Sequence, residues 1–374
     1  MKQHTELLST TDWLTERDAP VAIVLTETLE PSGGPDSIIF PPTYARKKGD
    51  HPYAITTIRT DIPAEEAARN NVSANICDLD SVGSQANRME AAFLQPPLSS
   101  LVPQISVKAN GDSVSLLKMS HRIVDGAVRF AHQIGEEVAL AIAKLARDGN
   151  AATLAKLAPT SLVFGCWDSR ATLFRVPRVL SSTIRATNVA ILKRSAQYSP
   201  AFDPTKLGLT ESTEVEIDPD AAKKDPLSQE GLRAVPAVDT HGGVRVFGSI
   251  VRHTEINLVS LRALGAPNEE ESLRLRRYLF GLALVAGRYQ SAYNLRQGCL
   301  LTLKEGVTPK AEIIHPSGKR KDFKWDFSDA WQFAQLAASE FDVDATAREF
   351  EFRKEAALLA VNAKAAKKAR KAAQ

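Results

Sequence analysis

Apolar and polar positions alternate along VAIVLTETL, residues 21–29, and predict a first strand that starts buried. The Pro and Gly of PSGGPD (31–36) and FPPTYARKKGD (40–50) predict loops after it. Over residues 82–94 the period lengthens to that of a helix. Val82, Ala86, Met89 and Phe93 fall on one side; Ser84, Asn87, Arg88 and Ala91 fall on the other, with Gln85 at the edge. Asp80 or Ser81 can cap the start, and QPPLSS stops the helix. ISVKANGDSVSLLKM (105–119) reads as a hairpin with Asn110-Gly111 at its turn. From Arg122 to about Leu157 the pattern is helical, broken at Asp148-Gly149-Asn150.

SLVFGCW (161–167) reads as an apolar strand, and RVLSSTIRATNVAILKRS (178–195), rich in Ile, Val, Thr and Ser, as a second hairpin. Residues 203–240 are irregular, Pro-bearing and acidic, with seven carboxylates between Glu211 and Glu230, which predicts a surface insertion. VRVFGSIVRHTEINL (244–258), CLLTLK and KAEII predict strands. EEESLRLRRYLFGLALVAGRY (269–289) predicts a long helix with an acidic first turn, as its dipole prefers. FSDAWQFAQLAASEF (327–341) predicts another helix, and residues 353–374 a basic helical tail. Strands interleave with helices and include hairpins. That favours an α+β fold with a largely antiparallel sheet over a parallel βαβ stack.

Composition adds little to this picture. The 374 residues are 44% apolar and 24% charged, with a net charge of +3, as expected of a folded soluble protein of one elaborated domain or two. Cys77, Cys166 and Cys299 are too far apart for a disulfide framework and read as free thiols in a reducing cytosol. The N-terminus lacks a signal-peptide core, and no stretch nears the ~18 apolar residues of a membrane span. A cytoplasmic protein with no membrane partner is expected.

Local charge is more informative. Residues 165–200 hold Arg170, Arg175, Arg178, Arg185, Lys193 and Arg194 against the single carboxylate of Asp168. Arginine outnumbers lysine there, as it does where planar, bidentate contact with phosphate matters. The helix at 82–94 offers free N–H groups at Gly83, Ser84 and Gln85, with Arg88 one turn on, which suits a phosphate. A solvated surface face accounts for the same pattern. No P-loop, dinucleotide fingerprint or nucleophile elbow occurs, and His241-Gly242-Gly243 reads as a turn. His121, Asp125 and His132 lack a further metal ligand at useful spacing, and Asp168 beside Arg170 reads as an ion pair. No catalytic residue, metal or cofactor is expected.

Two segments together are familiar. CDLDSVGSQANRMEAAF (77–93) and APTSLVFGCWDSR (158–170), followed by LKRSAQYSPA (192–201), closely resemble the backbone subunit of type I-G (formerly I-U) CRISPR Cascade. This is the Cas-seven family of the RAMP superfamily, also called the Geobacter-type Csb family, and FPPTYA (40–45) fits it as well. The resemblance implies one RRM-like (ferredoxin-like) palm across residues 1–374, with inserted finger elements and a β-hairpin thumb at 165–195. It implies RNA-binding by Ser84, Gln85, Asn87 and Arg88, and places Arg170, Arg175, Arg178, Arg185, Lys193 and Arg194 in the same role. It implies as partners a CRISPR guide RNA, target DNA through the guide, further copies in a head-to-tail filament and other Cascade subunits. Ordinary RRM aromatic motifs are missing, so base stacking on the sheet is not expected. The competing expectation is a RAMP-type ribonuclease acting on guide or target RNA, with Asp168 or His121 as its candidates.

Overall fold

The first alternating segment forms β1 (Ala22–Pro31), with Ile23, Leu25 and Leu29 buried on one face and Thr26 and Thr28 half-buried on the other. A computed structural model describes residues 11–16, 18–45, 52–211, 221, 224–289 and 293–372. Arg46, Lys47, Lys48 and most of the acidic run 212–223 lie outside the described residues. After β1 come β2 (Asn75–Asp80), the helix α1 (Val82–Ala91), and the short strands β3 (Cys166–Trp167) and β4 (Arg175–Val176). Then follow β5 (Leu180–Thr187), β6 (Val189–Tyr198), β7 (Val235–Val246) and β8 (Ile250–Asn257). The helix α2 (Glu269–Arg288), β9 (Tyr293–Arg296), β10 (Cys299–Leu303), β11 (Lys310–Ile314) and the C-terminal helix α3 (Lys354–Ala372) come last.

β1 pairs antiparallel with β8 on one side, and with β11 and then β10 on the other. β5 lies beyond β8, and β2 beyond β5, both antiparallel. The order β11-β1-β8-β5, with α1 between β1 and β5 and α2 between β8 and β11, is that of a ferredoxin-like β-α-β-β-α-β unit. The fold is α+β with an antiparallel, RRM-like palm, as expected. The Asn110-Gly111 hairpin forms between Gln104–Ala109 and Asp112–Ser115, with both turn residues at positive φ.

Three local expectations change. SLVFGCW is mostly a helical turn, Pro159–Val163, and reaches strand only at Cys166. An apolar run buried on every side does not reveal its own period. Residues 178–195 are not a hairpin: β5 pairs with β8 and β2, whereas β6 pairs with β7. The chain leaves the palm at Asn188, buried at φ 54°, a conformation that Asn tolerates. Its amide accepts from the Ala74 N–H at 2.8 Å and donates to the Val72 carbonyl at 2.7 Å, which fixes the exit. Residues 244–258 likewise split into β7 and β8 where the Phe247 N–H donates to the Asn188 carbonyl. The range 165–195 therefore contains a central palm strand. The long inserted hairpin is β6–β7, exposed from Lys193 through Tyr198 and enclosing the acidic segment.

The inner face of the palm carries charge as well as apolar side chains. Register sets Glu27 of β1 opposite Arg252 of β8, and Thr254 opposite Ser182 of β5. Arg252 is 0% exposed. Its guanidinium donates to Glu27 Oε2 at 2.7 Å, the Gly287 carbonyl of α2 at 3.1 Å and the Tyr293 hydroxyl at 3.3 Å. It also reaches Ser182 Oγ at 3.1 Å and Gln85 Oε1 of α1 at 3.2 Å. Arg288 adds a second cation beside Glu27, at 3.3 Å. Burial of these charges is tolerated because each is paired and hydrogen-bonded.

Arg252→Ala should cost about 3–5 kcal/mol in urea unfolding, since it leaves Glu27 and three polar side chains, Gln85, Ser182 and Tyr293, facing a void. A Glu27→Gln/Arg252→Met double variant should recover much of that loss. A single-variant cost below about 1 kcal/mol would contradict this account of the palm.

Candidate nucleic-acid interface

The start of α1 is built as its sequence suggests, but its polar face is only partly free. Ser81 Oγ accepts from the Ser84 N–H at 3.3 Å, and the Ser81 carbonyl takes the Gln85 N–H. Gly83 and Asn87 are exposed and Ser84 is half-buried. Tyr44, from FPPTYA, reaches this helix start. Burial and then the Asp80 carboxylate raise its phenol, opposed by a hydrogen bond with Ser81.

Gln85 and Arg88 are turned inward. Gln85 is 0% exposed, donating to Asp80 Oδ2 at 2.6 Å and accepting from the Ser182 hydroxyl at 3.0 Å. It is therefore withdrawn from any ligand, a correction to its place among the RNA-binding residues. Arg88 donates through Nε to Asp80 Oδ2 at 2.9 Å, and to the carbonyls of Asn294 at 3.1 Å and Leu295 at 2.6 Å. Its first role is to clamp α1 to β9. The reason lies in Asp80, which ends β2 with a fully buried carboxylate that needs donors.

The other end of the α1 face leads to a residue outside the predicted set, Arg122. Asn87 Oδ1 accepts from Arg122 at 3.1 Å, and Arg122 donates to the Gly165 carbonyl at 3.2 Å. Its Nε lies 2.8 Å from Glu90 Oε2, also on α1. Burial pushes the Glu90 carboxyl up to about 7, opposed by Arg122. Arg122 holds φ at 54°, an uncommon backbone for a long side chain, of the kind that persists where surroundings over-determine it. Gly165 also needs its positive φ of 73°, because a Cβ there would lie 2.9 Å from the Val176 carbonyl.

Arg122 lines a hollow of about 510 Å³ with His121, Trp167, Arg175 and Arg178. An adjoining hollow of about 320 Å³ shares His121, Trp167 and Ser169 and adds Arg129, Phe130 and Arg170. Among the described residues no carboxylate lines either wall. β3 and β4 set Trp167 opposite Arg175, whose guanidinium lies 4.3 Å from the indole centre. Asp168 shapes the loop between them. Its Oδ1 accepts from the N–H groups of Arg170 at 3.1 Å and Ala171 at 3.0 Å. Its Oδ2 accepts from the Thr172 N–H at 2.7 Å and hydroxyl at 2.8 Å. The expected ion pair with Arg170 is replaced by this backbone cap. Burial alone would raise the Asp168 carboxyl, but these bonds outweigh it and hold it below its ordinary value. Among the described residues no carboxylate pairs with Arg170 or Arg178.

The remaining predicted cations stand elsewhere. Arg185 lies on the open palm face, 2.7 Å from Asp78. Lys193 meets Asp239 at 3.0 Å across the β6–β7 hairpin, and Arg194 lies 5.7 Å from the Phe40 ring. So Arg170, Arg175 and Arg178 converge with Arg122 and Arg129 around Trp167, while Arg185, Lys193 and Arg194 form a separate file along β5 and β6. Trp167 carries a signal in CWDSR, an aromatic inside the arginine-rich window. Arg122 and Arg129 carry none, lying outside that window in a helical pattern. His121 Nδ1 is 3.4 Å from Asp125 Oδ2. Among the described residues no group of three His, Cys, Asp or Glu could hold a metal ion, and no helix is long and apolar enough to cross a membrane.

Asp168→Asn should lose about 1–3 kcal/mol at neutral pH, because its amide faces donors with a donor. The depressed carboxyl stabilises the fold above its ordinary pKa of 3.8, and that contribution is lost as pH falls through the lower folded value. The gap between wild type and variant should therefore shrink below about pH 3.8 in urea titrations. Glu90 has the opposite sign. With its pKa raised from 4.5 to about 7, its contribution is present below 4.5 and lost as pH rises through 7. Glu90→Gln should flatten the stability profile across that window, and an unchanged slope would refute the assignment.

Residues 23–191 match the model of the family described as CRISPR-associated protein GSU0053. A search of curated proteins gave no match. The matched span runs from β1 into β6 and takes in α1, the Asp168 loop and every cation of the groove. Over residues 23–191, a little under half of its length, this chain is similar to the family described as CRISPR-associated protein GSU0053.

Proposed function

We propose that this protein is a non-catalytic, CRISPR RNA-binding backbone subunit of a type I Cascade surveillance complex. It polymerises head to tail along the guide spacer and presents the guide for pairing with target DNA in antiviral defence. The observation that carries this reading is the pair of hollows around Trp167, walled by arginines and by no carboxylate. Such a surface attracts a phosphate chain and leaves the pairing edges of the bases free, as a subunit that must accept any spacer requires. Exposed Asn87 is joined to it through Arg122. The long β6–β7 hairpin, with Lys193 and Arg194 exposed, extends the cationic file away from the palm and suits contact with a neighbouring copy and its RNA.

A ribonuclease reading has one observation in its favour: His121 lines both hollows with Asp125 nearby. Asp168 does not serve it, since both its oxygens accept from the loop.

Arg170→Ala/Arg178→Ala should weaken RNA binding about equally for all sequences. The slope of log affinity against log salt should become shallower by roughly 0.7 for each phosphate the variant no longer neutralises. Arg88→Ala should instead act mainly on stability. A wild-type chain that stays free of guide RNA at low salt overturns the proposal. So does RNA cleavage that disappears in His121→Ala.

A further inference from the structure

Trp167 is half exposed, at 50%, on a backbone that is fixed on both sides. Its backbone pairs with β4, and the loop that follows it is closed by four hydrogen bonds to Asp168. Arg175 lies over the ring at 4.3 Å and lines the larger hollow. The smaller hollow also reaches Trp167, with no Arg175 in its wall. The indole thus stands between the two spaces, with the guanidinium on one side. Val124, Phe130, Ala360 and Val361 give the smaller hollow its apolar lining, with His121 and Ser169 also present, while Arg129 and Arg170 supply charge. At about 320 Å³ this hollow is in the range of clefts that enclose small planar ligands, ~300–1,000 Å³.

From this we infer that Trp167 is a stacking platform for one unpaired nucleobase of the bound RNA, received in the smaller hollow with its flanking phosphates on Arg129 and Arg170. The inference rests on the RNA-binding reading above and adds a base contact to it. A hollow lined by an indole, apolar side chains and two arginines fits a nucleotide, which alternates a π-face with a negative charge. The Arg175 guanidinium behind the indole keeps the ring from turning and adds a cation–π contact. His121, Ser169, Arg129 and Arg170 supply the polar lining of the hollow, and the indole offers a π-face on which any base can stack. The contact lies off the sheet, on the finger-like β3–β4 loop.

The test compares single-stranded RNA with an oligomer of abasic ribose phosphates of equal length, measured by fluorescence anisotropy on the full-length chain. The wild type should bind RNA about tenfold more tightly than the abasic chain, within the range that base–aromatic stacking supplies. Trp167→Ala should lose that preference while retaining affinity for the abasic chain. Trp167→Phe should restore it in part, which a merely structural role for the indole does not predict. If the wild type binds both chains equally, the stacking role is wrong and the phosphate-binding reading stands. A Trp167→Ala variant that keeps the preference rules out stacking in the same way. If the wild type binds neither chain, the RNA-binding reading falls, and the platform with it.

Discussion

A single buried guanidinium organises this protein. Arg252 reaches from β8 to Glu27 of β1, Ser182 of β5, Gln85 of α1 and the Gly287 carbonyl of α2. Three central strands and both palm helices are thereby tied to one side chain. Its pull decides what α1 can offer at the surface. Gln85 must face inward to accept from Arg252, and in doing so it donates to Asp80. Asp80 then recruits Arg88. Two of the four α1 side chains expected to hold RNA are thus drawn into the fold by the electrostatic needs of buried charge. The cost of leaving such groups unpaired exceeds what a solvent-exposed phosphate contact returns.

With Gln85 and Arg88 committed, α1 acts on the groove indirectly. Glu90 and Asn87 hold Arg122 from one side, and the Gly165 carbonyl holds it from the other. Gly165 can approach because it has no Cβ. The helix whose sequence suggests a ligand-binding element is therefore the support of one. Arg122 in turn reaches the hollows beside the β3–β4 loop, where among the described residues no carboxylate pairs with Arg170 or Arg178. Pre-organised cations bind a flexible polyanion with less ordering cost at the moment of contact.

Much of the palm is legible in the sequence because one face of each strand is solvated. The alternation of β1, the acidic start of α2 and the Asn110-Gly111 turn each have a local physical cause. The misreadings occur where local signals are ambiguous or absent. Residues 161–164 are buried all round, so their pattern has no polar phase to betray a helix. Asn188 turns the chain out of the sheet through amide bonds to Val72 and Ala74, more than a hundred residues distant in sequence. The helical wheel puts Gln85 at the edge of the polar face. Its burial follows from Arg252, which periodicity alone reads as one more polar residue in a strand. Of the groove, the arginine excess at 170–178 is visible, but its convergence with Arg122 and Arg129 is a product of the tertiary fold.

The open face of the palm offers little for a base to stack on. Across the central strands its rows read Thr26–His253–Thr183 and Thr28–Val251–Arg185, with Asp78 beyond Arg185. None of these is aromatic in the manner of Phe, Tyr or Trp, and Arg185 is already paired with Asp78. A sheet of this kind can pass a backbone across its surface but gives a base no broad π-face to settle on. The exposed indole and its uncompensated arginines lie instead on the β3–β4 loop, which Asp168 holds in shape. Moving the aromatic from the sheet to a loop separates two tasks. On the proposed reading, the palm is left free for a strand whose bases remain available to pair, and the groove takes the single stacking contact.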